Sequence, residues 1–265
     1  MAYTTIDDPT IYFNTVLYTG NFSTQSITGV GFQPDWVWIK ERSVSGNHQL
    51  QNSVNGTNSK LMSNSNSAEG TDTNYITSFD SDGFSLGANN GNNQSGVSNV
   101  AWNWKAGGSA SSNSNGSITS SVSVSTDAGF SIVSYTGNAT SGATLGHGLG
   151  IKPAMIISKN RDEAQNWFCY HKSLGATDYI RLNLTNASGS ATSIWNDTEP
   201  TTSVFSVGND TATNGSSDKI VAYCFADVKG YSKFGNYTGN GNNDGTFIHL
   251  GFMPAWVMIK RTSSA

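Results

Sequence analysis

The side chains in this chain that could do chemistry are few and scattered. Four histidines (His48, His147, His171 and His249) and two cysteines (Cys169 and Cys224) stand at none of the short spacings that gather metal ligands. They read as exposed or core histidines and small buried thiols, two cysteines being too few for a disulfide framework. Neither a metal nor a cofactor is expected. Gly146-His147-Gly148-Leu149-Gly150 has the look of a phosphate-cradling loop, but no Lys-Ser/Thr pair follows it. Asp80-Ser81-Asp82-Gly83 begins like a calcium loop, yet lacks the later acidic ligands and reads better as a turn. Glycoside hydrolysis needs two carboxylates facing each other across a cleft, and the acids to weigh are Glu41, Glu69, Asp162, Glu163, Asp197 and Glu199. Tryptophans come in pairs, Trp36/Trp38 and Trp102/Trp104, each pair on one strand face and suited either to a core or to a sugar ring. Trp167, Tyr170, Tyr179 and Trp195 lie in polar, loop-like surroundings and are the candidate ligand contacts.

The elements that must position these residues are copied along the chain. Tyr18-Thr19-Gly20-Asn21 leads to the apolar run from Pro34 through Trp36-Val37-Trp38-Ile39 to Lys40. Tyr135-Thr136-Gly137-Asn138 leads likewise to Pro153 and Lys159, and Tyr237-Thr238-Gly239-Asn240 to Pro254 and Lys260. Between the first two copies, Pro34/Pro153, Lys40/Lys159, Arg42/Arg161 and Asn64/Asn183 keep an offset of 119 residues. Phe84/Phe205, Gly87/Gly208 and Ala101/Ala222 keep one of 121, which implies a small loop insertion. So regular a repeat marks a copied structural unit.

Alignment of the copies decides several readings. Leu149-Gly150 corresponds to Val30-Gly31 and Leu250-Gly251, so the glycine serves a backbone turn before a strand rather than a phosphate. Glu69 aligns with Ser188 and Glu41 with Asn160, so the copies share no catalytic acids, and an enzyme is not expected. Trp36 and Trp38 become Met155 and Ile157, while Trp102 and Trp104 become Tyr223 and Phe225, which favours core over ligand platform. The run Trp36 to Ile39 is apolar on both alternating faces, the mark of a strand covered on both sides.

Composition sets the class. Charged residues make up only 12%, against 29 glycines and abundant Asn, Ser and Thr, which predicts many turns and short polar strands in an all-β chain. Aromatic content of 11% argues against disorder. A net charge of −4 gives no reason to bind nucleic acid, and no apolar run approaches the ~18 residues that predict membrane insertion. Met1 to Asp8 lacks the basic and apolar regions of an export signal, so synthesis in a cytoplasm is expected. The expected organisation is a β-sandwich repeat over residues 1–107, then a Gly/Ser/Asn-rich linker with an extra edge strand over 108–126. A second repeat follows over 127–234, with 235–265 either starting a third repeat or closing the second with a hairpin.

The recurring series Tyr18-Thr19-Gly20-Asn21, Gly31-Phe32-Gln33-Pro34-Asp35, Ile39-Lys40-Glu41-Arg42, Ser78 to Phe84 and Ala101 to Ala106 resembles a repeat of tailed-phage virion proteins, especially marine ones. Gly129 to Gly137, Val204 to Gly208 and Ala222 to Ala226 continue the likeness. The resemblance implies tandem duplicated antiparallel β-sandwiches of lectin-like, jelly-roll type. It implies a virion structural protein, a tail fibre, appendage or adhesin, or alternatively a capsid decoration or head fibre; a glycan depolymerase fits less well. Partners implied are other virion proteins, further copies of the chain and a host surface glycan. The family supplies no catalytic residues to carry over.

Overall fold

The structure, a computed structural model, describes residues 4–263. Its first part runs β1 (Phe13–Thr19), β2 (Gln25–Ile27), β3 (Trp36–Glu41), β4 (Gln49–Asn52), β5 (Ser59–Met62), β6 (Gly70–Thr71), β7 (Ile76–Asp80), β8 (Gly83–Leu86) and β9 (Ser98–Trp104). A main sheet has the order β1-β9-β3-β4-β5-β6, and β2-β8-β7 form a small one. The second part adds β10 (Ser111–Asn113), β11 (Ser120–Ser125), β12 (Phe130–Thr136), β13 (Ala143–Gly146), β14 (Met155–Asn160), β15 (Phe168–His171), β16 (Asp178–Arg181) and β17 (Gly189–Ser190). It ends with α1 (Thr192–Trp195), β18 (Val204–Val207), α2 (Thr211–Asn214) and β19 (Lys219–Phe225). Its main sheet has the order β10-β11-β12-β19-β14-β15-β16-β17, and β13 pairs with β18. With β10 and β11 set aside, the two main sheets share one strand order, and their ladders are antiparallel.

The chain is all-β, and its strands lie in four layers. Alternation along β3 divides its side chains: Val37 and Ile39 join Ile27, Ile76, Phe84 and Leu86 under the small sheet. Trp36 and Trp38 point the other way, into a core they share with the second main sheet. In β14, Ile156 faces the inner core of the second unit while Met155 and Ile157 face the shared one. The two main sheets therefore meet back to back. At the centre Trp36 stacks on Tyr223, ring centroids 4.3 Å apart, with Trp104 at 4.5 Å and Phe130 at 5.9 Å. Burying one indole here removes ~150–250 Å² from water, a gross gain of roughly 5 kcal/mol.

Polar contacts tie this seam at its centre and its rim. Asn52 Nδ2 donates to the Tyr223 hydroxyl at 2.9 Å. Arg161 grips Glu69 through two N–H···O bonds of 2.8 Å, and the Glu69 amide donates to the Arg161 carbonyl at 2.7 Å. A fork-to-fork pair this little exposed is among the stronger ion pairs. The stretch 108–126 is more ordered than its linker composition predicts, because β10 and β11 pair with each other and extend the second sheet past β12. Cys169 and Cys224 are free, buried and on opposite faces of their sheet, and burial pushes both thiols up to about 12.

Candidate functional site

Three of the four candidate ligand contacts are buried. Trp167 lies in the seam, its indole N–H shared between the carbonyls of Met62 at 2.9 Å and Ser65 at 3.1 Å, which makes it a staple between units. Tyr170 is buried and donates its hydroxyl to Glu199 Oε2 at 2.7 Å; Glu199 also accepts from Lys152 and from the Ala176 amide. Trp195 closes α1 edge-on to Tyr170 in the inner core. These corrections share one cause: a large aromatic ring between polar sequence neighbours is still drawn inward by its own apolar area. Tyr179 alone keeps a half-buried ring, edge-on to Phe168 at 4.9 Å and 5.0 Å from the Arg181 guanidinium. The Arg181 Nη2 donates to its hydroxyl at 3.0 Å. Of the candidate catalytic acids, Glu69 is paired with Arg161 and Glu199 with Lys152.

The repeated Tyr-Thr-Gly-Asn stretch does form a site, and it is a latch. In the first unit the Tyr18 hydroxyl donates to the Asn92 carbonyl at 2.6 Å. Buried Asn93 donates to the carbonyls of Ser23 and Gly87, at 2.7 and 2.8 Å, and accepts from the Asn21 amide at 2.9 Å. Gly20 lies so close to the next loop that a Cβ there would meet the Gln94 carbonyl oxygen at 2.3 Å. The second unit repeats this bond for bond. Tyr135 donates to the Thr213 carbonyl at 2.7 Å, and Asn214 donates to Thr140 and Gly208 and accepts from Asn138. A Cβ on Gly137 would meet the Gly215 oxygen at 2.3 Å. Asn93 and Asn214 were missed on sequence, although they keep the same 121-residue offset as Phe84/Phe205.

In the third copy the latch is open. Its local part is made: the Asn240 side chain accepts from the Asn242 amide at 3.0 Å, as Asn21 does from Ser23 and Asn138 from Thr140. Even the backbone agrees, with Gly241 at φ 68° where Phe22 and Ala139 stand at 54° and 55°. Its long-range part is not made among the described residues: Tyr237 is 48% exposed, and nothing lies within 4 Å of a Cβ on Gly239. Among the described residues the stretch that follows is neither a paired strand nor a closing hairpin. Trp256 lies perpendicular to Trp104 at 5.4 Å, Met258 joins the edge of the seam, and Lys260 reaches the Leu184 carbonyl. The Ser188 amide donates to the Thr262 carbonyl at 2.9 Å. Val257 and Ile259, on the other face, are 61% and 67% exposed. Beside them Phe247, Ile248, His249, Leu250, Phe252 and Pro254 line an open depression.

Fold and site together define a layered, antiparallel all-β protein whose repeated motif works as a structural latch. Among the described residues no cluster of three or more His, Cys, Asp or Glu could hold a metal, and no helix is long and apolar enough to cross a membrane. Residues 8–265 match the family described as "Domain of unknown function (DUF7483)", and the chain belongs to that family. No curated protein matches the chain, and no solved structure does.

Proposed function

We propose that this chain is a structural module of a phage particle, of tail-fibre, appendage or adhesin type, that meets a host surface through its loops. The setting comes from the resemblance of the repeat to tailed-phage virion proteins. The observation that carries the structural reading is the seam, where Trp36, Trp104, Phe130 and Tyr223 stack between two main sheets. Stacked, staple-bonded layers hold two units at one fixed angle, which suits a part that transmits position rather than one that opens and closes around a substrate. Tyr179 with Arg181 is the surviving contact for a host glycan, a half-buried phenol with a guanidinium fork over its ring.

Immunogold labelling of particles with an antibody to this chain tests the setting. Label on tail appendages is the expected result; label on the head would replace it by a capsid-decoration role, and unlabelled particles would end the reading. Tyr179→Ala is expected to weaken adhesion of the purified protein to host cells by about tenfold, the loss of one aromatic contact, when measured well below a melting temperature that the loss of a half-buried ring itself lowers. Unchanged adhesion would remove Tyr179 as a contact.

A further inference from the structure

The second unit carries a group of side chains that the first lacks. Phe168 of β15 and Tyr179 and Arg181 of β16 share one sheet face, with Phe168 directly opposite Arg181. The matching places in the first unit, 119 residues earlier, hold Gln49, Lys60 and Met62, and Gln49 lies opposite Met62 in the same register. The fold thus accepts a neutral thioether where the second unit sets a guanidinium, so the strands themselves do not require the arginine.

The group is firmly arranged. Tyr179 lies edge-on to Phe168 at 4.9 Å, and a Cβ on Gly189, its partner on β17, would meet its Cζ and hydroxyl oxygen at 2.7 Å. The Arg181 Cζ stands 5.0 Å from the centre of the Tyr179 ring and 5.4 Å from that of Phe168. Ring faces attract a cation without neutralising it. The guanidinium makes one hydrogen bond among the described residues, from Nη2 to the Tyr179 hydroxyl at 3.0 Å, and takes part in none of their ion pairs. Arg161, half-buried like it, shows the usual arrangement: it holds both oxygens of Glu69. A half-enclosed cation without an anion is unfavourable unless an outside group supplies the opposite charge.

The donors left over say what that group would be. Nε is buried without a partner, whereas Nη1 makes no hydrogen bond among the described residues and is not closed off from solvent. The Tyr179 hydroxyl accepts from Arg181 and keeps its own proton to donate. An N–H and an O–H side by side, next to one positive charge, fit two oxygens of a single anionic group. A neutral sugar hydroxyl would meet a donor and leave the charge unpaired.

We propose that Tyr179 and Arg181 bind an acidic sugar, one bearing a carboxylate or a sulfate ester, with its anionic oxygens on Arg181 Nη1 and the Tyr179 hydroxyl. This rests on the reading of the pair as a glycan contact and names the class of glycan.

The test uses the full chain and two matched pairs of probes: a galacturonate trisaccharide with its neutral methyl ester, and a sulfated galactose trisaccharide with its unsulfated form. In at least one pair the charged member is expected to bind about tenfold or more tightly than the neutral one, and the pair that responds separates carboxylate from sulfate recognition. Arg181→Met, the residue type of the first unit at this place, should erase the difference. Arg181→Lys should keep part of it, since the charge remains without the fork. The matched pairs decide on the unaltered chain, so the outcome does not hang on either variant folding. Equal binding of charged and neutral members, or a difference that survives in folded Arg181→Met, overturns the inference and leaves Tyr179 as a contact for neutral sugars. Binding of no probe overturns it as well, and unchanged adhesion of Tyr179→Ala would in addition remove the reading on which it rests.

Discussion

The first and second units share a strand order but differ in how well they satisfy what they bury. On the inner face of the second main sheet, Tyr135, Ile220 and Asn160 stand in one row. Asn160 there is fully satisfied: Nδ2 donates to the Thr211 carbonyl and Asp218, and Oδ1 accepts from the amides of Asp162 and Glu163. The equivalent row in the first unit is Tyr18, Asn99 and Glu41. Glu41 Oε1, Asn99 Oδ1 and both amide atoms of nearby Asn92 are buried without partners. Burial raises the Glu41 carboxyl above its usual range, an effect that Lys40 partly offsets. At this row one backbone plan thus carries an apolar, satisfied interior in the second unit and a polar, under-satisfied one in the first, although Ser131 Oγ, Ser158 Oγ and Trp195 Nε1 are buried without partners elsewhere in the second unit. The lesson is that the two units depend on each other at the seam, where the tryptophan face of the first is buried against the second.

Trp36→Ala breaks that dependence most directly. It is expected to cost about 3–5 kcal/mol, as large aromatic truncations in cores do, and to lower the denaturation midpoint of the whole protein. A normal second unit that stays folded while the first melts would show instead that the seam couples them weakly. Next come the latch asparagines. Asn93→Ala and Asn214→Ala each strip three hydrogen bonds, one fully buried and two partly, and are expected to cost roughly 2–3 kcal/mol apiece by equilibrium urea unfolding. Similar losses sharpen the view that the latches are equivalent; a loss confined to one unit would break it.

Glu41→Gln should have the smallest effect and the opposite sign. A carboxyl whose folded pKa lies above its unfolded value binds extra protons in the folded state, so stability falls as pH rises through that window. At a pH above that window the penalty is present, and removing the charge is expected to stabilise the protein slightly, a gain that vanishes as pH falls below the ordinary carboxylate range. A variant no more stable than wild type at pH 7 would mean that Glu41 reaches water or a partner in solution.

Much of the architecture was legible in the residues. Two-sided apolar runs at Trp36–Ile39 and Met155–Ile157 marked central strands, and the copy offsets paired β3 with β14 and β9 with β19. The candidate site was legible only in part. Trp167 and His48 occupy the same position, their amides both bonded to an asparagine, Asn183 and Asn64. Nothing local says that one ring points into a seam made by another unit. Residues 117–126 were expected to supply an extra edge strand; β11 forms within them, but β10 pairs beyond it and takes the edge.

By itself, then, the sequence determined what short-range geometry controls: the period-two strands, the turn glycines and the Asn21, Asn138 and Asn240 turns, all three of which form. These depend on contacts within a few residues, which any copy of the motif carries with it. Tertiary structure alone decided which loop closes each latch of the first two units and that Trp167 and Trp195 are buried. The latches depend on a second element brought from some 70 or more residues away, Asn93 to Asn21 and Asn214 to Asn138.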